Sequence, residues 1–333
     1  MAPVVQWQWF VYTEPLREPL VTAQGIWRDR RGIYLRLQDD EGAVGYGEIA
    51  PLPGWGTESL AADIALCQQL PPRLTPPIIA AIPDHLPAAQ FGFATAWQSV
   101  GRLPYTLADW PQCALLGSGA QALQEWLPHW QQGYRTFKWK VGVAPAAEEQ
   151  AILTDLLAQL PADATLRLDA NGGWSWQTAC QWLQWLQTWA ADRIEFVEQP
   201  LPAREDHRLI ALARAFAVPL ALDESVVSWQ HLQHWQRRQW PGLYVLKPAL
   251  FGAPERLNQL LAQGLRREQL VFSSALEGAI ARTAIFHQLN TWLPQRALGF
   301  GVERWRPAPR LTSLADYATE WQRLDNYGKN YYK

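Results

Sequence analysis

The feature that most constrains this chain is a repeated phase. From about residue 114 onward short apolar runs recur, at 114–116, 136–141, 165–169, 194–198, 220–223, 243–247, 270–273 and 297–300. Between them lie amphipathic windows of helical period, among them 147–160, 176–190, 204–216 and 255–264. Strands that are apolar nearly throughout are buried on both faces, which in strand-helix alternation means a parallel sheet covered by helices. Eight such units fit a closed (β/α)8 barrel. The alternative is an open doubly wound sheet, but no G-x-G-x-x-G follows the early strands, so a dinucleotide crevice has no support.

At 333 residues the chain is long for one ordinary domain and leaves room for additions to a barrel. The first hundred residues read as α+β. Runs at 33–38 and 43–49 flank Asp39-Asp40-Glu41-Gly42, a turn-rich tetrad that predicts a hairpin. Thr57-Glu58 opens a helical stretch toward Leu70, and the Pro- and Leu-rich segment 71–87 reads as a connector.

Charge is nearly balanced, with 29 Lys plus Arg against 31 Asp plus Glu. A nucleic-acid or anionic-membrane partner is therefore not expected, and a small-molecule carboxylate is the expected one. No basic start followed by an apolar run and no membrane-length apolar stretch is present, so the expectation is a soluble cytoplasmic protein, with a homo-oligomer left open. Cys67, Cys113 and Cys180 lie far apart with no zinc-ligand spacing, and read as reduced and structural. Tryptophan is abundant, with 20 copies against one methionine. Trp182, Trp185 and Trp189 share a helical face with Leu186, which predicts packing against the sheet rather than chemistry.

What sits at the ends of the runs narrows the function. Lys140, Asp169, Glu198, Asp223 and Lys247 close five successive runs, recurring every 24 to 29 residues. Equal phase puts all five on one rim, the carboxyl end of the strands, where barrels carry their chemistry. Three carboxylates converging there repel one another unless a cation lies among them or some stay protonated. All-oxygen ligands without histidine or thiol suit Mg²⁺, with Mn²⁺ able to substitute, better than Zn²⁺. Lys138 and Lys140 are two apart on a strand and share its inward face, while Phe137, Trp139 and Val141 alternate with them. At a separation of about 7 Å and an effective dielectric near 20, their repulsion is about 2 kcal/mol. It is expected to bring one of the pair toward a neutral base.

Phe137-Lys138-Trp139-Lys140-Val141-Gly142, Leu168-Asp169-Ala170-Asn171, Phe196-Val197-Glu198-Gln199-Pro200, Ala221-Leu222-Asp223-Glu224-Ser225 and Leu246-Lys247-Pro248 together resemble the signature set of the enolase superfamily, muconate-cycloisomerase subgroup. The likeness spans essentially the whole chain, and the segment 45–54 resembles the capping loop that closes over substrate in this subgroup. It implies an enolase-like, modified TIM barrel over 106–302, capped by an α+β domain from 1–105 to which a tail, 303–333, returns. It implies Asp169, Glu198 and Asp223 as Mg²⁺ ligands, with Lys140 and Lys247 on opposite faces of a substrate carboxylate and Lys138 beside them.

Within the subgroup the chain is most similar to members that dehydrate a hydroxylated cyclohexadiene carboxylate to an aromatic product. That similarity rests on Arg167, on the Glu48-Ile49-Ala50-Pro51-Leu52-Pro53 core and on Phe272-Ser273-Ser274-Ala275-Leu276-Glu277-Gly278. It implies that Lys140 takes the proton and returns it to the leaving hydroxide, while Lys247 contributes its charge. Arg167, Asn171, Ser273 and Ser274 are the candidate substrate contacts; for the serines, ordinary helix capping stays open, and for Arg167, neutralisation of neighbouring acids. N-acylamino acid racemase and muconate-type cycloisomerase activities on the same scaffold also stay open, as does a catalytically inactive binding barrel. A dipeptide epimerase is disfavoured, because the Asp-x-Asp pair of those enzymes is missing from Leu298-Gly299-Phe300-Gly301-Val302-Glu303.

Overall fold

The computed structural model describes residues 4–22, 25–52 and 54–331. Pro53 of the 45–54 motif and the extreme ends of the chain lie outside these. The described chain forms two sheets. β1 (Val5–Thr22), β2 (Gly25–Asp39), β3 (Val44–Ile49) and β4 (Arg73–Leu74) make an antiparallel sheet of order β3-β2-β1-β4. The second sheet contains β5 (Gln112–Leu115), β6 (Thr136–Lys140), β7 (Thr165–Asp169), β8 (Ile194–Glu198), β9 (Leu220–Leu222), β10 (Leu243–Leu246), β11 (Leu270–Phe272) and β12 (Leu298–Gly301). Its order, β11-β10-β9-β8-β7-β6-β5-β12, is the sequence order with the last strand beside the first. A parallel bridge between Ser273 and Gly299 and a bond from Ser274 N–H to Gly299 C=O join β11 to β12 and all but close the ring.

The expected runs became strands because alternate side chains are apolar on both sides of the wall. Phe137 and Trp139 face the surrounding helices, while Phe196, Ala221, Leu243, Val245 and Val271 cluster separately among buried residues. The covering helices arise where predicted, at Ala146–Gln159, Trp176–Trp189, Asp206–Ala215 and Pro254–Ala262. The tryptophan face holds only in part. Trp182 is buried, but Trp189 is 76 % exposed, because the helix ends there and no neighbour covers its last turn.

The predicted hairpin is β2 and β3, paired from Ile33↔Ile49 to Gln38↔Val44, with the Asp39 carboxylate accepting from Glu41 and Ala43 N–H. Two further readings are corrected, and one helix had no reading. The segment 71–87 is not a plain connector: it holds β4, paired to β1, and a helix at Pro76–Ala80 started by proline at its first turn. The helix expected from Thr57 starts at Leu60, with Ser59 as the cap whose hydroxyl accepts from Ala62 N–H. A helix at Pro87–Ser99, almost wholly buried, packs on β3 and has no amphipathic period to announce it. The Gly45-Tyr46-Gly47 pattern serves that contact: a Cβ at Gly47 would stand 2.1 Å from Gly92 C=O.

Candidate active site at the barrel rim

Parallel pairing aligns the rim directly, since Lys140 lies opposite Asp169 and Asp169 opposite Glu198. Asp223 and Lys247 follow the last residues of β9 and β10. Across the wall the order is therefore Lys140, Asp169, Glu198, Asp223, Lys247, with the three acids between the two lysines. The acids are almost fully buried, at 2 %, 2 % and 5 % exposure.

Lys138 points into the ring as expected, but its electrostatics run the other way. Its ammonium stands 2.8 Å from both Asp169 Oδ2 and Glu198 Oε1. Burial opposes its charge, yet Asp169, Glu198 and Asp223 outweigh it and hold the group well above the usual lysine range. Lys138 is thus held as a cation, so the repulsion expected to bring one of the pair toward a neutral base does not do so at Lys138. The attraction of two carboxylates in contact exceeds the repulsion of one lysine farther off.

The acids divide among themselves. For Asp169 burial favours the neutral form, but Lys138 and Lys140 prevail and lower its pKa. Glu198, in the middle of the row, is pushed up to about 7 by burial and then by Asp169. Asp223 is pushed up to about 6 by burial, against the pull of Lys247, whose ammonium donates to it. Buried acids raised in this way are short of positive charge. Among the described residues no three acidic or histidine side chains stand gathered tightly enough to enclose a metal by themselves, and the lysine ammonium groups lie among the carboxylates instead. The donor set itself, three buried carboxylates in a row with surplus repulsion, fits a hard divalent cation.

Asn171 adopts a left-handed backbone (φ 44) that returns its N–H to Asp169 Oδ1 at 3.0 Å. Its side chain then accepts from Lys140 Nζ at 3.0 Å and donates to Glu224 at 3.2 Å. Arg167 is 2 % exposed and committed to Glu195 at 2.6 Å and to Ala297 C=O at 2.9 Å. It also borders a cavity of about 80 Å³ within the barrel, together with Lys138, Glu198 and Ser273. The Ser273 hydroxyl donates to Gly299 C=O, whereas that of Ser274 is taken up by Glu277 and Arg282. Of the two serines, only Ser273 borders the cavity.

Three residues escaped the sequence reading. Gln199, fully buried with φ 37, accepts from Asp223 N–H and donates to Ser225, bracing the rim between β8 and β9. Glu224 carries one buried carboxylate oxygen without a partner. Both stand inside quoted motifs, next to the acids. Trp55 carried no such signal: it arrives from the antiparallel part of the chain and lays its ring 3.8 Å from Lys247 Nζ.

Comparison with known proteins gives consistent findings. Residues 121–287 match the family described as enolase C-terminal domain-like, and residues 4–100 match the MenC N-terminal domain. The chain is 63 % identical over 321 residues to the o-succinylbenzoate synthase of Thermosynechococcus vestitus, covering 96 % of this chain and 100 % of that protein. It is 32 % identical to the o-succinylbenzoate synthase of Pectobacterium atrosepticum, covering 85 % of each. The crystal structure of o-succinylbenzoate synthase from Thermosynechococcus elongatus BP-1, complexed with Mg in the active site, superposes with a TM-score of 0.94 at 63 % identity, over 96 % of this chain and 100 % of that one. The L-Ala-D/L-Glu epimerase of Bacillus subtilis shares the fold at a TM-score of 0.77 and 21 % identity, over 93 % of this chain and 95 % of that one.

Proposed function

Because this chain belongs to the o-succinylbenzoate synthase family, we propose that it is a hydro-lyase that converts 2-succinyl-6-hydroxy-2,4-cyclohexadiene-1-carboxylate to 2-succinylbenzoate. The observation that carries the assignment of roles is the order of the rim, two lysines flanking three buried acids. Asp169, Glu198 and Asp223 would hold Mg²⁺. When bound, the ion supplies a Lewis acid that offsets the charge building on the substrate carboxylate as its α-proton leaves.

The chain's own residues do the rest. Lys140 takes the proton from the carbon bearing the carboxylate. It then returns that proton to the departing hydroxyl, so that water leaves from the same face and the ring becomes aromatic. Asn171 aims the Lys140 amine through its 3.0 Å bond and is itself anchored on Asp169 and Glu224. Lys247 faces the developing negative charge, with the Trp55 ring 3.8 Å from its Nζ. Lys138 offsets part of the repulsion between Asp169 and Glu198. Ser273 and Arg167 border the cavity that would receive the succinyl arm, with Arg167 as a fixed wall rather than a free hand.

The product belongs to the synthesis of menaquinone or phylloquinone, and the cytoplasm is the compartment we assign. Three free cysteines are in keeping with a reducing compartment, and no described helix is long and apolar enough to cross a membrane. The test is direct: purified protein with Mg²⁺ and the cyclohexadiene substrate should produce aromatic absorbance. Absence of product with the metal present would overturn the assignment.

A further inference from the structure

Arg30 is a buried charge whose place the reaction does not explain. It lies on β2, is 2 % exposed, and directs its guanidinium entirely at backbone carbonyl oxygens. Nε donates to Ala275 C=O at 3.3 Å, Nη1 to Pro51 C=O at 2.7 Å and to Arg31 C=O at 2.9 Å, and Nη2 to Ala50 C=O. Burial works against its charge, which the Tyr12, Glu48 and Glu277 side chains support and Arg306 opposes, while the hydrogen bonds of its fork all go to main-chain carbonyls. Besides that of Arg31, its neighbour on β2, the carbonyls it gathers come from two segments far apart in the chain. Ala50 and Pro51 lead to Trp55, which lies on Lys247; Ala275 follows Ser273, which borders the barrel cavity.

A planar fork with five donors is suited to this task, because it holds several acceptors in one plane at set distances, which an ammonium on a flexible stem cannot do. We propose that Arg30 is a positioning residue that fixes the spacing between the segment carrying Trp55 and the segment carrying Ser273, so that both present to the substrate as one rigid wall. Arg30 touches neither substrate nor metal ligand and acts only through these two segments. The role in turnover rests on the synthase reading above; the mechanical coupling does not.

The experiment compares wild type, Arg30→Met and Arg30→Lys as full-length protein with Mg²⁺, by amide hydrogen exchange and by steady-state kinetics. Exchange is read at Leu52 and Trp55 for one segment and at Ala275 and Leu276 for the other. Arg30→Met should raise exchange in both segments together and raise KM about tenfold, with kcat within about threefold of wild type, since binding geometry is lost while the rim stays intact. Arg30→Lys, which keeps the charge but not the fork, should fall between, and it alone decides the matter if the methionine variant does not fold. A rise in one segment only, or in neither, overturns the proposal, as does an unchanged KM beside a working wild type. A wild type that does not dehydrate the diene sinks the synthase reading instead, and the coupling is then judged on exchange alone.

Discussion

Two of the clusters of buried charge among the described residues are built on opposite terms. At the rim, Asp169, Glu198 and Asp223 share lysine ammonium groups, and Glu198 and Asp223 are held above the ordinary carboxylate range by burial. At the seam between the antiparallel sheet and the barrel, Glu48 is wholly buried too. It accepts from Tyr12 OH at 2.6 Å, from Gly278 N–H at 2.9 Å and from Ala281 N–H at 3.3 Å, with Arg306 at 3.5 Å. Arg306 in turn holds Glu14 at 2.7 Å and Leu276 C=O at 2.6 Å. Gly278 is required here, since a Cβ would meet Tyr34 OH at 2.1 Å. The seam saturates its charge with fixed donors and so adds to stability. The rim leaves its acids under-neutralised, which costs stability and keeps them ready for a cation.

The sharpest way to break this contrast is to remove the base. Lys140→Arg should lose at least about 10² to 10⁴ in kcat, because a guanidinium stays protonated and cannot accept the proton, while the melting temperature barely moves. Lys247→Arg, which needs only charge, should retain a measurable fraction. Substantial dehydration by Lys140→Arg would remove the base assignment. Chelation belongs with this test: it should abolish turnover with the barrel still folded by circular dichroism, and full activity after exhaustive metal removal would sink the metal reading.

At the seam the expected loss is in stability. Glu48→Gln leaves a neutral amide against Arg306 and two backbone N–H groups, and should cost about 3 to 5 kcal/mol in denaturant unfolding. If it costs less than a rim substitution, the contrast fails.

The third test uses pH on the metal-free protein. The folded Glu198 carboxyl, near 7 against an ordinary 4.5, holds its proton more tightly folded than unfolded. Its contribution is present below about pH 4.5 and lost as pH rises through about 7, and Asp223 acts in the same direction up to about 6. Metal-free stability should therefore fall from pH 5 to 7 by an amount on the order of 1 to 3 kcal/mol. Glu198→Gln should flatten that slope, and added Mg²⁺ should reverse it. The smallest effect concerns Trp55. Trp55→Leu removes the ring over Lys247 and should cost about 0.5 to 2 kcal/mol of transition-state stabilisation, read as kcat/KM, with Trp55→Phe recovering part of it.

The fold and the rim were legible because a β/α unit carries its phase in the chain. Lys140, Asp169, Glu198, Asp223 and Lys247 follow apolar runs at near-constant spacing, and strand period alone sends them to one end of one wall. The same period set Lys138 facing inward. It could not say what waited there, because charge balance depends on distances between strands rather than along one. The buried helix Pro87–Ser99 and short β4 were illegible for a related reason: a helix buried on nearly all sides shows no amphipathic period, and a two-residue strand exists only through its partner β1.

Local sequence thus determined which residues reach the rim. Tertiary structure alone decided that Lys138 is a fixed cation, that Trp55 covers Lys247, and that Arg30 and Glu48 reach segments 245 and 230 residues away. Contacts of that range are set by how the antiparallel sheet seats on the barrel, and no periodicity in the chain encodes the partner across such a gap.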